Sequence, residues 1–228
     1  MNSGGFNSIN HMYLLKVSRL REIYERSVRP VEEQLSEVKQ KISLYMLKIS
    51  RGYKESPLIS DDSRNICFFP EKILLEDTHG ICIDVIENIN KNTMVNIYHF
   101  WEKYWFDIIK GIEYGRKDEN GIEIDFQYKD FKRFDKFISR ISKYYELNED
   151  INKLKDISNA LKHGNRNHIR RMISKYPNLF ERTDEFFISC FGADAISIKR
   201  ADVEEAFEIL LESGPKTLLV SKPGRYIK

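Results

Sequence analysis

The stretch Ser158–Arg171, "SNALKHGNRNHIRR", carries two of the chain's five histidines, one lysine, three arginines and no acidic residue. Imidazole and guanidinium groups this close together suit one kind of chemistry. Breaking an RNA backbone through its 2′-hydroxyl needs a base, an acid for the leaving oxygen, and cations for the charged intermediate. Histidine with arginine supplies all three without a metal. The simpler reading is a helix that stops at Gly164, and the chemical reading has to be weighed against it.

At about 100° per residue, a helix over 149–163 gathers Ile151, Leu154, Ile157 and Leu161 on one side, facing a core. Asn152, Asp156, Asn159 and His163 line another side, with Lys155 and Lys162 beside them. His163 closes the helix, where outward carbonyls and the dipole favour a cation. From Lys162 to Phe180 stand five basic residues, Lys162, Arg166, Arg170, Arg171 and Lys175, and no acidic one. A helix opening near residue 167 offers free N–H groups to a phosphate, and Arg166 and Arg170 are spaced to clamp successive phosphates. His168 is expected at the surface or on a phosphate. With no cysteine near it and His163, a zinc pair is not expected, and neither is any other metal or cofactor. Asp156 is expected to pair with Lys153, and His99 to pack near the tryptophans.

The elements that must position these residues are helical. Leu14, Val17, Leu20, Tyr24 and Val28, then Val31, Leu35, Val38, Ile42, Tyr45 and Ile49, recur at helical steps from about 12 to 53. Pro30 predicts a kink or a division into two helices there. Residues 54–79 read as a connector, and 80–111 as a second long helix with a possible break near 90–93. Its run "IYHFWEKYWFDII" is apolar on more than one face, so both tryptophans belong to a core. Residues 116–127 read as a loop or small hairpin and 129–147 as a helix. Asn148 is placed to cap the helix 149–163, and a short helix covers 167–176. Residues 186–200 suit a hairpin, and Asp202 with Glu205 marks the start of a last helix. The fold class is therefore all-α, a bundle of five to seven helices with at most one or two short hairpins. An N-terminal helical extension occupies 1–55 and the bundle 56–228.

Composition limits the alternatives. A formal charge of +2 on 228 residues is close to balance, so a site for a polyanion must be local. Cys67, Cys82 and Cys190 are odd in number and form no CxxC pair, as expected of reduced, mostly buried thiols in the cytoplasm. No apolar run reaches the length of a membrane span, and no signal-peptide core is present, so a soluble cytoplasmic protein is expected. Gly-rich phosphate loops, nucleophile elbows and H-E-x-x-H are missing.

"SNALKHGN", late in an all-α chain and preceded by a Trp-rich helix, resembles the HEPN superfamily of helical-bundle domains. That family's signature is an arginine followed by four to six residues and a histidine, often with asparagine after the arginine and Lys-His at the end. Asn159, Lys162 and His163 match it over about 15 residues. The resemblance implies a metal-independent endoribonuclease of a toxin–antitoxin or phage-defence system, acting as a homodimer whose 149–163 helices face each other, with an antitoxin or sensor protein as partner. It implies His163 as acid or base, Asn159 and Lys155 in the catalytic set, and Lys162, Arg166, His168, Arg170 and Arg171 on the RNA. The family arginine would fall at 156–158, where this chain has Asp156, Ile157 and Ser158. Either Lys155, Arg166 or Arg170 takes its place, or the chain is an inactive HEPN-like module that binds RNA or a partner protein.

Overall fold

The computed structural model describes residues 3–51, 60–61, 66–67, 70–113, 134–142, 145, 147–164 and 166–215. The fold is all-α, a helical bundle. Seven α-helices are present among the described residues: α1 Ser3–Ser50, α2 Pro70–Glu113, α3 Phe134–Ile141, α4 Ile151–His163, α5 Arg166–Lys175, α6 Glu185–Phe191 and α7 Arg200–Glu212. A two-residue antiparallel pair, Ser60↔Cys67 and Asp61↔Ile66, is the sheet they are accompanied by. The loop expected at 116–127 lies outside the described residues. The chain divides into two compact units, Met1–Arg21 with Asn92–Lys228, and Glu22–Lys91.

α1 is one helix through Pro30, not two. Its buried positions, Val17, Tyr24, Val28, Val38 and Tyr45, follow a heptad seam, while Pro30 lies on the exposed side. The hydrogen bond that proline removes is thus one whose carbonyl can turn to water. α2 likewise runs unbroken through 90–93 and begins at Pro70, so the expected connector gives way to helix over its last ten residues. Proline at the first helical position is favourable, because that N–H has no intrahelical partner anyway. Within Glu22–Lys91, the Tyr24 hydroxyl donates to Asn90 Oδ1 at 3.0 Å, while Tyr45 and Glu71 line one groove. Pairing 24 with 90 and 45 with 71 makes the two helices antiparallel.

The other unit is organised around the tryptophans, which are fully buried as their spacing predicts. Trp101 and Trp105 both donate their indole N–H to the Ser213 carbonyl, at 3.2 and 3.0 Å. The Tyr13 hydroxyl donates to the Leu210 carbonyl at 2.6 Å. Three aromatic donors thereby satisfy carbonyls at the end of α7 that the helix itself cannot pair. A Cβ on Gly214 would stand 2.3 Å from the Tyr13 ring, so only glycine fits there. Phe137, Ile141 and Tyr145 complete this core from the chain before α4.

Two expected elements are corrected. Of the helix expected over 129–147, Phe134–Ile141 is helical and Ser142, Tyr145 and Leu147 are not, while 129–133, 143–144 and 146 lie outside the described residues. Residues 186–200 hold α6 and a 3-10 turn, Gly192–Ala195, instead of a hairpin. Asp184 caps α6 by accepting from the Phe187 N–H at 3.0 Å, Phe187 and Phe191 pack ring to ring at 4.6 Å one turn apart, and Gly192 leaves the helix at φ +54°. Capping and i,i+4 packing win over the β-propensity of the segment. What extended pairing remains is one bridge, Phe180↔Ile196. α7 opens with Lys199 N–H donating to Asp202 at 2.8 Å, so Asp202 occupies the third helical position and Glu205 is no part of the cap.

Candidate functional site

α4 is built as its pattern dictates. Ile151, Leu154, Ile157 and Ala160 are buried, Leu161 is half-buried, and the opposite side is polar. Asn148 acts from outside the helix, its side-chain oxygen accepting from the Asp150 N–H at 2.9 Å, and α4 itself begins at Ile151. At the far end Gly164 is required by close approach. A Cβ there would stand 2.5 Å from the Ala160 carbonyl oxygen and 2.8 Å from Ala193 Cβ. The turn to α5 is therefore pinned on Gly192–Ala195, and α5 buries Ile169 and Met172 beneath its own polar face.

His163 is exposed at the last position of α4. His168 is half-buried on α5, and its ring is held below the ordinary imidazole value. Burial is the main cause, followed by the Arg171 charge, with His163 and Lys155 pushing the same way and Asp156 opposing. Lys155, Asp156, His163 and Arg171 thus each lie within electrostatic reach of the His168 ring. Asn159 sits half-exposed on the same side of α4 and makes no side-chain hydrogen bond among the described residues. Arg166 and Arg171 are exposed.

The charge partners differ from expectation. Asp156 accepts from Lys175 Nζ at 2.8 Å, while Lys153 pairs with Glu205 at 2.6 Å. Arg170 is engaged by Glu185, whose carboxyl is lowered chiefly by that bond and to a smaller degree by the Arg166 charge. The two arginines expected to clamp phosphates thus share an acidic neighbour that sequence spacing could not reveal. His99 is exposed, and its Nε2 stands 3.1 Å from Lys162 Nζ, with Glu102 3.7 Å from Nδ1. It was expected beside the tryptophans. Instead a third imidazole joins the edge of the site, a consequence of α2 running next to α4 that no local pattern signals. Cys190, expected with the buried thiols, is exposed.

The positions where the family arginine would fall are now distinguishable. Ile157 and Ser158 are fully buried, and the Ser158 hydroxyl has no hydrogen-bond partner among the described residues. Asp156, paired to Lys175, is the only one of the three that reaches the surface. Lys155, one residue earlier on α4, is half-exposed. Grooves elsewhere on the molecule, about 770 Å³ lined by Tyr145, Asn148 and Asn152 and about 280 Å³ lined by Leu44, Tyr45 and Leu47, do not include His163. No helix among the described residues is long and apolar enough to cross a membrane. Among the same residues no group of three or more His, Cys, Asp or Glu side chains is placed to hold a metal ion. Comparison with family models, curated proteins and solved structures finds no match.

Proposed function

We propose that this protein is a HEPN-like endoribonuclease that cleaves RNA through its own 2′-hydroxyl without a metal. The reading is carried by exposed His163 at the end of α4 and half-buried His168 on α5, whose ring the charges of Arg171, His163 and Lys155 help to hold below its ordinary value. A lowered proton affinity keeps His168 neutral at physiological pH, ready to accept the 2′-proton. The 2′-oxygen then bonds to phosphorus, and the bond from phosphorus to the 5′-oxygen breaks. His163, the last residue of α4, gives a proton to that leaving oxygen. Lys155 and Arg171 face the extra charge on the phosphoryl oxygens, and Asn159 orients the strand. Arg166, Lys162 and, if Glu185 releases it, Arg170 extend the contact along the backbone. Action in a toxin–antitoxin or phage-defence system, as a cytoplasmic homodimer with an antitoxin or sensor partner, belongs to the same proposal.

The test is incubation of the purified protein with tRNA and total RNA in EDTA, beside His163→Ala and His168→Ala. Cleavage by the wild type that falls at least ~100-fold in each variant supports the proposal. Equal cleavage by all three rejects it.

A second reading has its own observation. With Arg170 held by Glu185 and no arginine at 156–158, α4 itself offers no guanidinium to clamp a phosphate. A non-catalytic module that binds RNA or a partner protein fits that lack. RNA binding without cleavage, weakened by Arg166→Ala and Arg171→Ala, selects this reading. Cleavage by the wild type removes it.

A further inference from the structure

Several cations around α4 and α5 are answered by carboxylates. Lys153 pairs with Glu205, Lys175 with Asp156 and Arg170 with Glu185. Lys162 is held differently. Its Nζ stands 3.1 Å from Nε2 of His99 on α2. An ammonium has only protons to give, so Nε2 accepts, and the ring is neutral with its proton on Nδ1. Nδ1 is the nitrogen that faces Glu102, 3.7 Å away. A carboxylate would fix a lysine and also cancel its charge. The imidazole fixes Lys162 without cancelling it, and two ammonium protons remain to be given.

Around His99, α2 carries a polar line of its own. Asn92, Asn96, His99 and Lys103 recur at steps of four, three and four, which puts them on one side of the helix. All four are exposed, while Met94, Ile97, Trp101 and Trp105 are buried on the other side. Asn96 and Lys103 each lie within one turn of His99, where side chains on a helix surface are neighbours. Among the described residues Lys103 forms no ion pair, and Asn92 and Asn96 form no side-chain hydrogen bond. Glu102 lies on the flank, and Asp107, one turn beyond Lys103, is the next carboxylate along the line. From 92 to 103 the line is thus amide, imidazole and ammonium, the groups that α4 presents in Asn159, His163 and Lys162. All of these residues belong to one compact unit, Asn92–Lys228 with Met1–Arg21.

We propose that His99 is a positioning residue that aims Lys162 at a phosphate beside His163, and that the bound strand continues from there along Asn96 and Lys103 of α2. The inference rests on the reading of this surface as an RNA site. It gives that site a direction, away from the two histidines of α4 and α5 and onto a helix that the reading did not include. Lys162 and Lys103 each neutralise one phosphate. The amides of Asn92 and Asn96 donate to and accept from the sugars and bases between. His99 touches Lys162 and acts through it.

The experiment reads binding apart from cleavage. The full chain is titrated into a labelled single-stranded RNA whose 2′-hydroxyls are replaced by fluorine, so that no attack on phosphorus can occur, and anisotropy is followed. Lys103→Ala is expected to weaken binding about 3- to 10-fold and to lower the slope of log affinity against log salt by about 0.7, the mark of one lost phosphate contact. His99→Leu is expected to weaken binding about threefold, and His99→Gln, which keeps an acceptor for the ammonium, to restore it. In a Lys162→Ala background His99→Leu is expected to add nothing. These side chains are exposed, so circular dichroism should not change. If the wild type binds while either Lys103→Ala or His99→Leu binds equally well, the inference falls and the RNA reading stands. A His99→Leu loss that persists in full without Lys162 also overturns it. A wild type that neither binds this strand nor cleaves ordinary RNA ends the RNA reading and the inference together.

Discussion

The α4–α5 pair and the α1–α2 hairpin are both amphipathic, yet they treat their apolar residues differently. On α4 and α5 each strongly apolar position is buried or half-buried, and what remains outside is amide, imidazole and charge. On the hairpin only a narrow heptad seam is buried, and leucine and isoleucine remain on the outer faces. The difference lies in the number of neighbours. A helix with several neighbours buries a broad stripe, whereas one paired along a single seam buries about two positions in seven. Polar residues therefore make up the outer side of α4, and apolar residues outside the hairpin seam stay exposed.

The comparison breaks or holds on stability measurements. Leu154→Ala and Ile157→Ala, both in the core beneath α4, should each cost about 2–5 kcal/mol in urea unfolding. Leu74→Ala and Ile81→Ala should change the stability of the monomer by less than about 0.5 kcal/mol. Equal costs at the four positions would erase the distinction. Gly164→Ala should cost about 1–3 kcal/mol, because Ala160 and Ala193 leave no room for a methyl group. Ser158 sharpens the picture further. Ser158→Ala removes a buried hydroxyl that has no partner, so it should be neutral or stabilising by up to about 1 kcal/mol. Ser158→Arg should destabilise strongly, since a guanidinium would enter the core without a counter-charge.

The smallest effect concerns charge alone. His168 titrates below its ordinary value of 6.5, through burial and then Arg171. The unfolded chain therefore binds that proton more readily than the native one. The stability contribution is complete above the unfolded value and is lost as pH falls through it toward the folded one. An NMR titration of the imidazole should find its midpoint under 6.5, and Arg171→Ala should move it upward. A midpoint indifferent to Arg171, Lys155 and His163 would mean that the cluster does not exist.

Much of the fold was legible because its causes are local. The seam of α1, the buried tryptophans, the turn at Gly164 and the polar side of α4 all follow from periods and stops within a few residues. Where expectation failed, two local signals competed. Pro30 argued for a break, but it falls on the outer side of the helix, where it is tolerated. "FFISCF" looked like strand, but Asp184 ahead of it and Gly192 after it frame a helical turn.

The sequence alone determined which side chains could share a helix face, because 3.6 residues per turn ties position to direction along one element. It therefore placed His163, Asn159 and Lys155 on α4 and His168 with the arginines on α5. Only the tertiary structure decided what each charge meets. Asp156 finds Lys175 at 19 residues' separation, Arg170 finds Glu185 at 15, and Lys162 finds His99 at 63. Those partners depend on how separate helices pack, and helix packing is driven by apolar burial that does not distinguish one surface charge from another. Which of the site's charges are paired, and with what, is therefore set by that packing.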